Sequence, residues 1–441
     1  MEAILASIWN KSVGYLTWDE RLSLATFRYD DNFTSGKWNL SPVVMPLRDT
    51  IYYFPENKTA CFKGLPGMFA DTLPDAFGSQ IIDDWFQTRN IDLPSGITPL
   101  HRLCYQGKRG MGALEFSPAL FKNEQSSIIE IKEMTTLADM IMNHREQFRV
   151  DLKTQKGPIL DLLKVGTSAG GAKPKAVIAY NPKTKEVRSG QVGAPEGFGY
   201  YLLKFDGVEN RKLSDNPLGI GNIEYAYHRM AIDCGINMMP CSLYEDGIYN
   251  HFMTQRFDRT ATGEKLHSQT LAAIAHLDRD LPHSYKSAFS VIRALHLPKE
   301  DSNEMFRRMT FNVVARNHDD HTKNHSFIMD RNGTWRLAPA YDLCYAYSEQ
   351  GRWTSQHQMS INGKRSDFTY NDLIKEGIRN DIRNPSQIIE KTVDIVSRWR
   401  TYAMECGVKE AHVKQIESNL ILLRQPLQKQ KIQKNNNLLL P

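Results

Sequence analysis

The first 118 residues alternate short apolar runs with polar turns, a pattern typical of β-strands. The first turn is predicted at Asn10-Lys11, between two such runs. The predicted elements are strands at residues 4–9, 13–18 and 24–29 and a helix at residues 76–87. We therefore predict a small β-rich module over residues 1–120.

A second β-rich region follows a connecting helix that is predicted at residues 136–148. Ahead of its strands, residues 165–175 hold three glycines, two hydroxyl side chains and two lysines. Bare backbone N–H groups in such a segment could approach an anion closely. The segment matches neither a Walker A sequence nor the kinase GxGxxG pattern, so phosphate binding and a plain glycine-rich hairpin both remain open. The predicted strands lie at residues 176–180, 186–189, 200–205, 242–246 and 248–257.

Helical patterns dominate the rest of the chain. Asn222 is predicted to cap a helix that stops at Gly235. Everything after about residue 260 is predicted to be helical, except a hairpin over residues 327–337 that turns at Asn-Gly. The pattern as a whole indicates an α+β protein. Its later domains are predicted at residues 121–258 (connecting helix, glycine-rich loop and amino-terminal lobe), 259–424 (helical lobe) and 425–441 (low-complexity, disordered tail).

The chain length and the net charge limit which classes of function the protein can have. A chain of 441 residues has room for roughly two to four domains with apolar cores. The formal net charge is +5, but residues 1–423 sum to only +1. The basic excess therefore belongs to the tail and does not indicate a nucleic-acid-binding face. The four charges in the tail come from Arg424, Lys429, Lys431 and Lys434.

The six cysteines are scattered without a CxxC pair, which fits neither a disulfide framework nor a zinc ribbon. No apolar run approaches the roughly 18 residues of a membrane span, and Glu2 stands where a signal peptide favours positive charge. We therefore expect a cytoplasmic protein without a membrane partner.

The densest group of reactive side chains lies at residues 315–326, which hold two carboxylates, two amides, an amine and three imidazoles. Asp319 and Asn324 are five residues apart, the spacing at which protein kinases place their base and their metal-binding asparagine. In those kinases a later aspartate, here matched by Asp342, also holds Mg²⁺. Asp320 is an adjacent candidate for the base, and only the spacing to Asn324 favours Asp319.

Lys204 ends an apolar strand after the glycine-rich segment. A kinase amino-terminal lobe uses such a lysine to hold the α- and β-phosphates, although an edge lysine that reaches solvent explains the pattern equally well. Glu224, in the first turn of the following helix, is either the ion-pair partner of Lys204 or a residue that complements the helix dipole.

Together these motifs resemble the HipA-type serine/threonine kinases, the toxins of bacterial toxin–antitoxin pairs. Nine short motifs occur in the family's order, at comparable separations, over nearly the whole chain. They are Trp9-Asn10 with Val13-Gly14, Leu73-Pro74-Asp75, Gly112-Ala113, Ser168 with Gly171-Ala172 and Lys175, Leu203-Lys204, Asn222 with Glu224, Arg256-Phe257-Asp258-Arg259, Asp319 with His321 and Lys323-Asn324, and Pro339 with Tyr341-Asp342.

The resemblance implies a protein-kinase-like, two-lobed fold and a set of roles. Asp319 would be the catalytic base, Asn324 and Asp342 would be the Mg²⁺ ligands, and Lys323 would help Lys204 to balance the phosphate charge. The chain departs from the family pattern at Lys173-Pro174, inside the glycine-rich loop, and at His325, where phenylalanine is commoner. The residues implied for ATP binding are Ser168, Ala169, Gly170, Gly171, Lys175, Lys204, Gln255, Arg256, Phe257 and His321.

The resemblance also implies a reaction and partners. The γ-phosphoryl group of ATP would pass to a protein, such as an aminoacyl-tRNA synthetase or another translation component. Phosphorylation of Ser168 by the kinase itself would inactivate it. The implied partner is a helix-turn-helix antitoxin, through which the chain would reach DNA only indirectly.

Two other functions remain as alternatives. His318, Asp319, His321 and His325 have a spacing that could ligate Zn²⁺ on a helix, as in a metal-dependent hydrolase. That interpretation makes no use of Lys204 or the glycine-rich loop. The second alternative is a catalytically silent, DNA-bound corepressor partner.

Overall fold

A computed structural model describes residues 3–74, 76–88, 96–120, 128–144, 174–208 and 218–425. Strands and helices are both abundant and largely segregated along the chain, which confirms the predicted α+β class. The predicted glycine-rich loop at residues 165–173 and the predicted disordered tail from residue 426 onward lie outside the described residues.

The described strands form four sheets, in the orders β4-β3-β2-β1-β5, β7-β6-β8-β10-β9, β11-β13-β14 and β12-β15. They are Ala3–Ile8 (β1), Lys11–Asp19 (β2), Leu24–Tyr29 (β3), Ile51–Tyr52 (β4), Leu114–Ser117 (β5), Lys175–Tyr180 (β6), Val187–Ser189 (β7), Gly199–Lys204 (β8), Cys241–Asp246 (β9), Tyr249–Gln255 (β10), His267–Thr270 (β11), His283–Ser284 (β12), Ser326–Met329 (β13), Trp335–Leu337 (β14) and Met359–Ser360 (β15).

The described α-helices are Asp31–Thr34 (α1), Gly67–Ala70 (α2), Ala76–Thr88 (α3), Pro99–Gln106 (α4), Ile131–Asn143 (α5), Ile220–Asp233 (α6), Leu271–Ala275 (α7), Tyr285–Ala294 (α8), Lys299–Val314 (α9), Tyr370–Arg379 (α10), Pro385–Ser397 (α11), Trp399–Glu405 (α12) and Glu410–Asn419 (α13). Single turns of 3₁₀ helix occur at Pro55–Asn57 and Thr322–Asn324.

The amino-terminal sheet begins with a tight hairpin. Trp9 and Asn10 have φ values of +48° and +64°, so the turn lies one residue earlier than the predicted Asn10-Lys11, and Lys11 already belongs to β2. Positive φ at both central residues matches the right-handed twist of the strands on either side.

The second sheet, which contains β6, β8 and β10, is antiparallel and has α3 and α5 packed against it. The predicted connecting helix begins earlier than expected, at Ile131 rather than residue 136. The apolar side chains of Phe77, Ile141, Ile178 and Leu203 share one core here. This sheet and its helices form the amino-terminal lobe.

The carboxyl-terminal part is not helical throughout, so that prediction was wrong. Besides the predicted hairpin β13-β14, with Gly333 at φ +85°, strand β11 pairs with β13 and completes a three-stranded sheet. The short polar sequence His267–Thr270 lacks apolar alternation, and its strand conformation depends on a partner about sixty residues later.

The predicted cap of α6 was also wrong. The helix begins at Ile220, after Gly219, and the carboxylate of Asp206 accepts hydrogen bonds from both of their backbone N–H groups at 3.1 Å or less. Asn222 lies inside the helix, where its amide donates to the carbonyl of Cys406 at 2.7 Å. The predicted stop at Gly235 agrees with its φ of +85°.

The amino-terminal module shares a core with the carboxyl-terminal lobe instead of folding around a core of its own. Phe69 and Phe116 belong to the same apolar cluster as Leu271, Met309 and Phe327. Indole N–H groups add polar links across this contact, since Trp9 donates to the carbonyl of Lys265, and Trp38 to that of Arg331. None of the helices in the described ranges is long and apolar enough to span a bilayer.

Candidate active site

A cavity of about 560 Å³ lies where the amino-terminal lobe, the loop after α9 and the amino-terminal module meet. Asp319 lies beside this cavity rather than in its wall, and Lys175 lies in β6 directly opposite Lys204 of β8. The predicted residues 168–171 lie outside the described part of the chain. The predicted residues that line the cavity are Lys204, Gln255, Arg256, Phe257, His321, Lys323, Asn324 and Asp342.

Lys204 is held between two carboxylates. Its Nζ lies 2.5 Å from Oε1 of Glu224, on α6, and also binds Oδ1 of Asp342. Burial by itself lowers the pKa of Lys204, but the two carboxylates outweigh this effect and raise the pKa above its usual value. Lys204 is therefore a charged, oriented lysine, and Glu224 is its ion-pair partner.

Asp342 has a left-handed backbone, with φ of +53°, which aspartate tolerates better than most residues. Burial favours the neutral carboxyl, but attraction to Lys204, Lys175 and His321 lowers the pKa well below its ordinary value. Asp342 is therefore ionised at neutral pH and already faces a cation.

The 3₁₀ turn Thr322–Asn324 folds Asn324 back onto Asp319, and the amide of Asn324 donates to the backbone carbonyl of Asp319 at 2.7 Å. The carboxylate of Asp319 is 49% exposed and lies 3.7 Å from Nε2 of His321. Burial raises the pKa of Asp319, and the negative charges of Asp342 and Asp320 add to this, whereas His321 opposes it. Burial lowers the pKa of His321.

Asp320 has different surroundings from its neighbour. Its side chain is fully buried and accepts hydrogen bonds from the Tyr285 hydroxyl at 2.8 Å, the His357 ring at 2.9 Å and the backbone N–H of Gln358 at 2.7 Å. Both carboxylate oxygens are occupied by these donors, so Asp320 anchors the loop that carries Asp319.

His325 stands where phenylalanine is commoner in the HipA-type kinases that the sequence resembles. Its ring is buried and packs edge-on against Tyr285, with ring centroids 5.6 Å apart. Burial lowers the pKa of His325 to about 4, so the ring is neutral and fills an aromatic position. Within the described ranges, no group of three or more His, Cys, Asp or Glu side chains is arranged to hold a metal ion, which contradicts the alternative of a zinc site at His318, Asp319, His321 and His325.

Gln255, Arg256 and Phe257, which the resemblance implied for ATP binding, differ in what they contact. Gln255 donates its backbone N–H to the carbonyl of Pro240 at 2.9 Å, and Phe257 stacks on Tyr341 at 5.5 Å. The guanidinium of Arg256 binds the buried Asp258 at 2.7 Å. The Arg256 side chain is thus occupied by an internal ion pair.

Comparison with known proteins places this geometry in a family. Residues 167–418 match the model of the HipA-like C-terminal domain, and residues 4–117 match that of the HipA N-terminal domain. The chain belongs to the HipA family.

Two relatives illustrate the range of similarity. A HipA structure from Shewanella oneidensis MR-1, from a toxin–antitoxin complex of HipA, HipB and operator DNA, superposes with a TM-score of 0.64. It covers 94% of this chain and 95% of that chain at 18% identity, so it shows a shared fold and confirms the predicted two-lobed arrangement. A putative kinase of Haemophilus influenzae is 28% identical over 162 residues, which are 33% of this chain and 45% of that protein.

The HipA N-terminal domain builds part of the cavity wall, which the sequence did not predict. Asp71, at the end of α2, faces the same cavity as Lys204 and Lys323. Its partners lie about two hundred residues away in the sequence, so no local signal identifies it. The wall residues from this domain are Ala60, Cys61, Lys63, Ala70, Asp71, Thr72, Leu73, Pro74 and Met111.

Proposed function

We propose that this HipA-family chain is a protein serine/threonine kinase that uses ATP and Mg²⁺. The observation that carries the proposal is the buried Lys204, paired with Glu224 and Asp342 in a cavity that also contains Asn324 and Lys323. Phosphoryl transfer requires positioning and charge neutralisation more than covalent catalysis, and this cavity supplies both.

The residues present fit a magnesium ion. Asn324 uses its amide nitrogen for the Asp319 carbonyl, which leaves its Oδ1 for a cation, and the Asp342 carboxylate already binds the cationic Nζ of Lys204. Amide and carboxylate oxygens are ligands that Mg²⁺ accepts. When bound, Mg²⁺ would neutralise charge on the transferring phosphates.

Each side chain then has a role in the transfer. The acceptor hydroxyl gives its proton to Asp319 as its oxygen bonds to the γ-phosphorus, and the bond from that phosphorus to the β,γ-bridging oxygen breaks to release ADP. Lys204 and Lys323 hold the phosphates. Asp319 is favoured over Asp320 as the base because half of its side chain is exposed, whereas Asp320 is enclosed.

Self-inactivation at Ser168 is part of the proposal. A phosphate there would place about −1.5 to −2 charges in a loop that the family resemblance puts beside the ATP phosphates. Like-charge repulsion would then disfavour ATP binding. A helix-turn-helix antitoxin is the proposed partner, supported by family membership and by the Shewanella complex of HipA with HipB and DNA.

A transfer assay tests the proposal. Purified chain is incubated with Mg²⁺ and ATP labelled in the γ-position, and intact mass with peptide mapping of residues 157–185 follows the label. We expect one phosphate, at Ser168, and no label in Asp319→Asn. A parent chain that neither gains mass nor labels any protein of a cell extract contradicts the kinase assignment, whereas label only on other proteins contradicts self-inactivation alone.

A further inference from the structure

A carboxylate of the HipA N-terminal domain is built into the candidate active site. Asp71 ends α2, and its Oδ2 accepts the backbone N–H of Thr270 at 2.6 Å while Oδ1 accepts the Thr270 hydroxyl at 3.0 Å. These bonds join two domains, and they lie in the wall of the same cavity as Asn324 and Asp342.

Thr270 connects Asp71 to the loop that carries the proposed chemistry. It is the last residue of β11, directly opposite Ser326, two residues after Asn324. The next residue, Leu271, donates its backbone N–H to the carbonyl of His325 at 2.7 Å. A displacement of Thr270 would therefore also move the end of the loop, because two adjacent backbone contacts join them.

Lys323 and Asp71 carry opposite charges and line the same cavity. The Lys323 carbonyl accepts a hydrogen bond from the Tyr341 hydroxyl at 2.7 Å. Burial raises the pKa of Asp71, and attraction to Lys323 opposes this effect. The two side chains are thus electrostatically linked across the domain boundary.

We propose that Asp71 is a positioning residue for phosphoryl transfer, holding the Asn324 end of the loop in place through Thr270. The inference rests on the proposed kinase function. It makes the HipA N-terminal domain a structural part of the active site, in addition to any role as a separate module.

The decisive variant is Asp71→Asn, which keeps the side-chain shape and removes the charge. We expect transfer to fall about 10²-fold, the size of effect that a misplaced group can produce. In an Asn324→Ala background the same substitution should change the residual rate less than about twofold, because the residue that it positions is gone. A parent-like rate, or an equal loss in both backgrounds, overturns the proposal.

Asp30→Asn is the matched control. Asp30 belongs to the same domain and accepts the backbone N–H of Asn32 at 2.9 Å at the start of α1, far from the cavity wall. We expect this variant to keep the parent's rate. An Asp30→Asn loss as large as that of Asp71→Asn would mean that general destabilisation explains both, and it would overturn the positioning role.

Hydrogen exchange separates this inference from the kinase assignment. Amides of residues 319–326 should exchange faster in Asp71→Asn than in the parent or in Asp30→Asn, even if the parent transfers no phosphate. Unchanged exchange of these amides contradicts the positioning role, while a silent parent with faster exchange contradicts only the proposed function.

Discussion

Two clusters of three charges differ in how far their side chains are enclosed. In one, Asp258 lies between Arg256 and Arg259, and none of the three side chains is more than 4% exposed. In the other, Lys204 lies between Glu224 and Asp342, with side-chain exposures of 14%, 9% and 27% on the cavity side.

The difference separates a cluster with a structural role from one that is placed to contact a ligand. Asp258 also accepts the backbone N–H of Gly112 at 2.7 Å, so this cluster fixes the amino-terminal module to the amino-terminal lobe. The Lys204 cluster faces open volume, so its charges can exchange internal partners for a ligand. Buried ion pairs often contribute little net stability, but an uncompensated buried charge is strongly destabilising.

The largest expected effect is on folding. Asp258→Asn leaves two enclosed guanidinium groups with one neutral partner, so we expect the free energy of unfolding to fall by about 3–5 kcal/mol. Urea denaturation measures this. Asp49→Asn, at the exposed partner of Arg28, should change the value by less than about 0.5 kcal/mol. Equal losses in the two variants would contradict the structural role of the Asp258 cluster.

A second pair of variants tests which of the adjacent aspartates, Asp319 or Asp320, acts as the base. Asp319→Asn should lower phosphoryl transfer by about 10²-fold or more, because the proposed general base is lost, with an unchanged unfolding free energy. Asp320→Asn should instead lower the unfolding free energy by about 1–3 kcal/mol, because buried donors lose part of their acceptor. The reverse pattern would show that the base is Asp320.

A substitution in the Lys204 cluster should change the affinity for ATP. Lys204→Met should weaken ATP binding by about 10- to 10²-fold, since a hydrogen bond to a charged group contributes about 1.5–3 kcal/mol. Calorimetric titration measures the affinity. Lys265→Met is the control, because Lys265 pairs with Glu115 at 2.8 Å outside the cavity wall. Equal affinities in parent and Lys204→Met would remove Lys204 from the nucleotide site.

At neutral pH the smallest effect is expected at His325. Its pKa is about 4 in the folded chain and near 6.5 when unfolded, so the unfolded state binds the proton more readily and stability is lost as pH falls from about 6.5 towards 4. His325→Phe should flatten that part of the stability curve. Asp258, whose pKa is lowered, contributes a separate loss below about pH 4. An unchanged curve between pH 6.5 and 4 would contradict the buried, neutral ring.

The sequence predicted features that depend on near neighbours. The Asn-Gly hairpin of β13 and β14 formed as expected because its turn residues and its apolar alternation lie within a few positions. The sequence also indicated His321, Lys323 and Asn324, which lie in one loop and line the cavity.

Features that depend on distant partners were missed or misplaced. The cap of α6 is the carboxylate of Asp206, thirteen residues before Gly219, so Asn222 had the better local signal and the wrong position. Strand β11 depends on β13, about sixty residues later, and the contact from Asp71 to Thr270 depends on the meeting of two domains. Local propensity cannot contain such information.

The Lys204 cluster is the proposed ATP and Mg²⁺ site. The most direct test is the unfolding free energy of the parent and of Asp342→Asn, with and without Mg²⁺ and ATP. At about 100 times the Kd, ligand should stabilise the parent by about 2.7 kcal/mol and should stabilise the variant far less. A parent that gains no stability from ATP with Mg²⁺, or a variant that gains as much as the parent, would contradict the account.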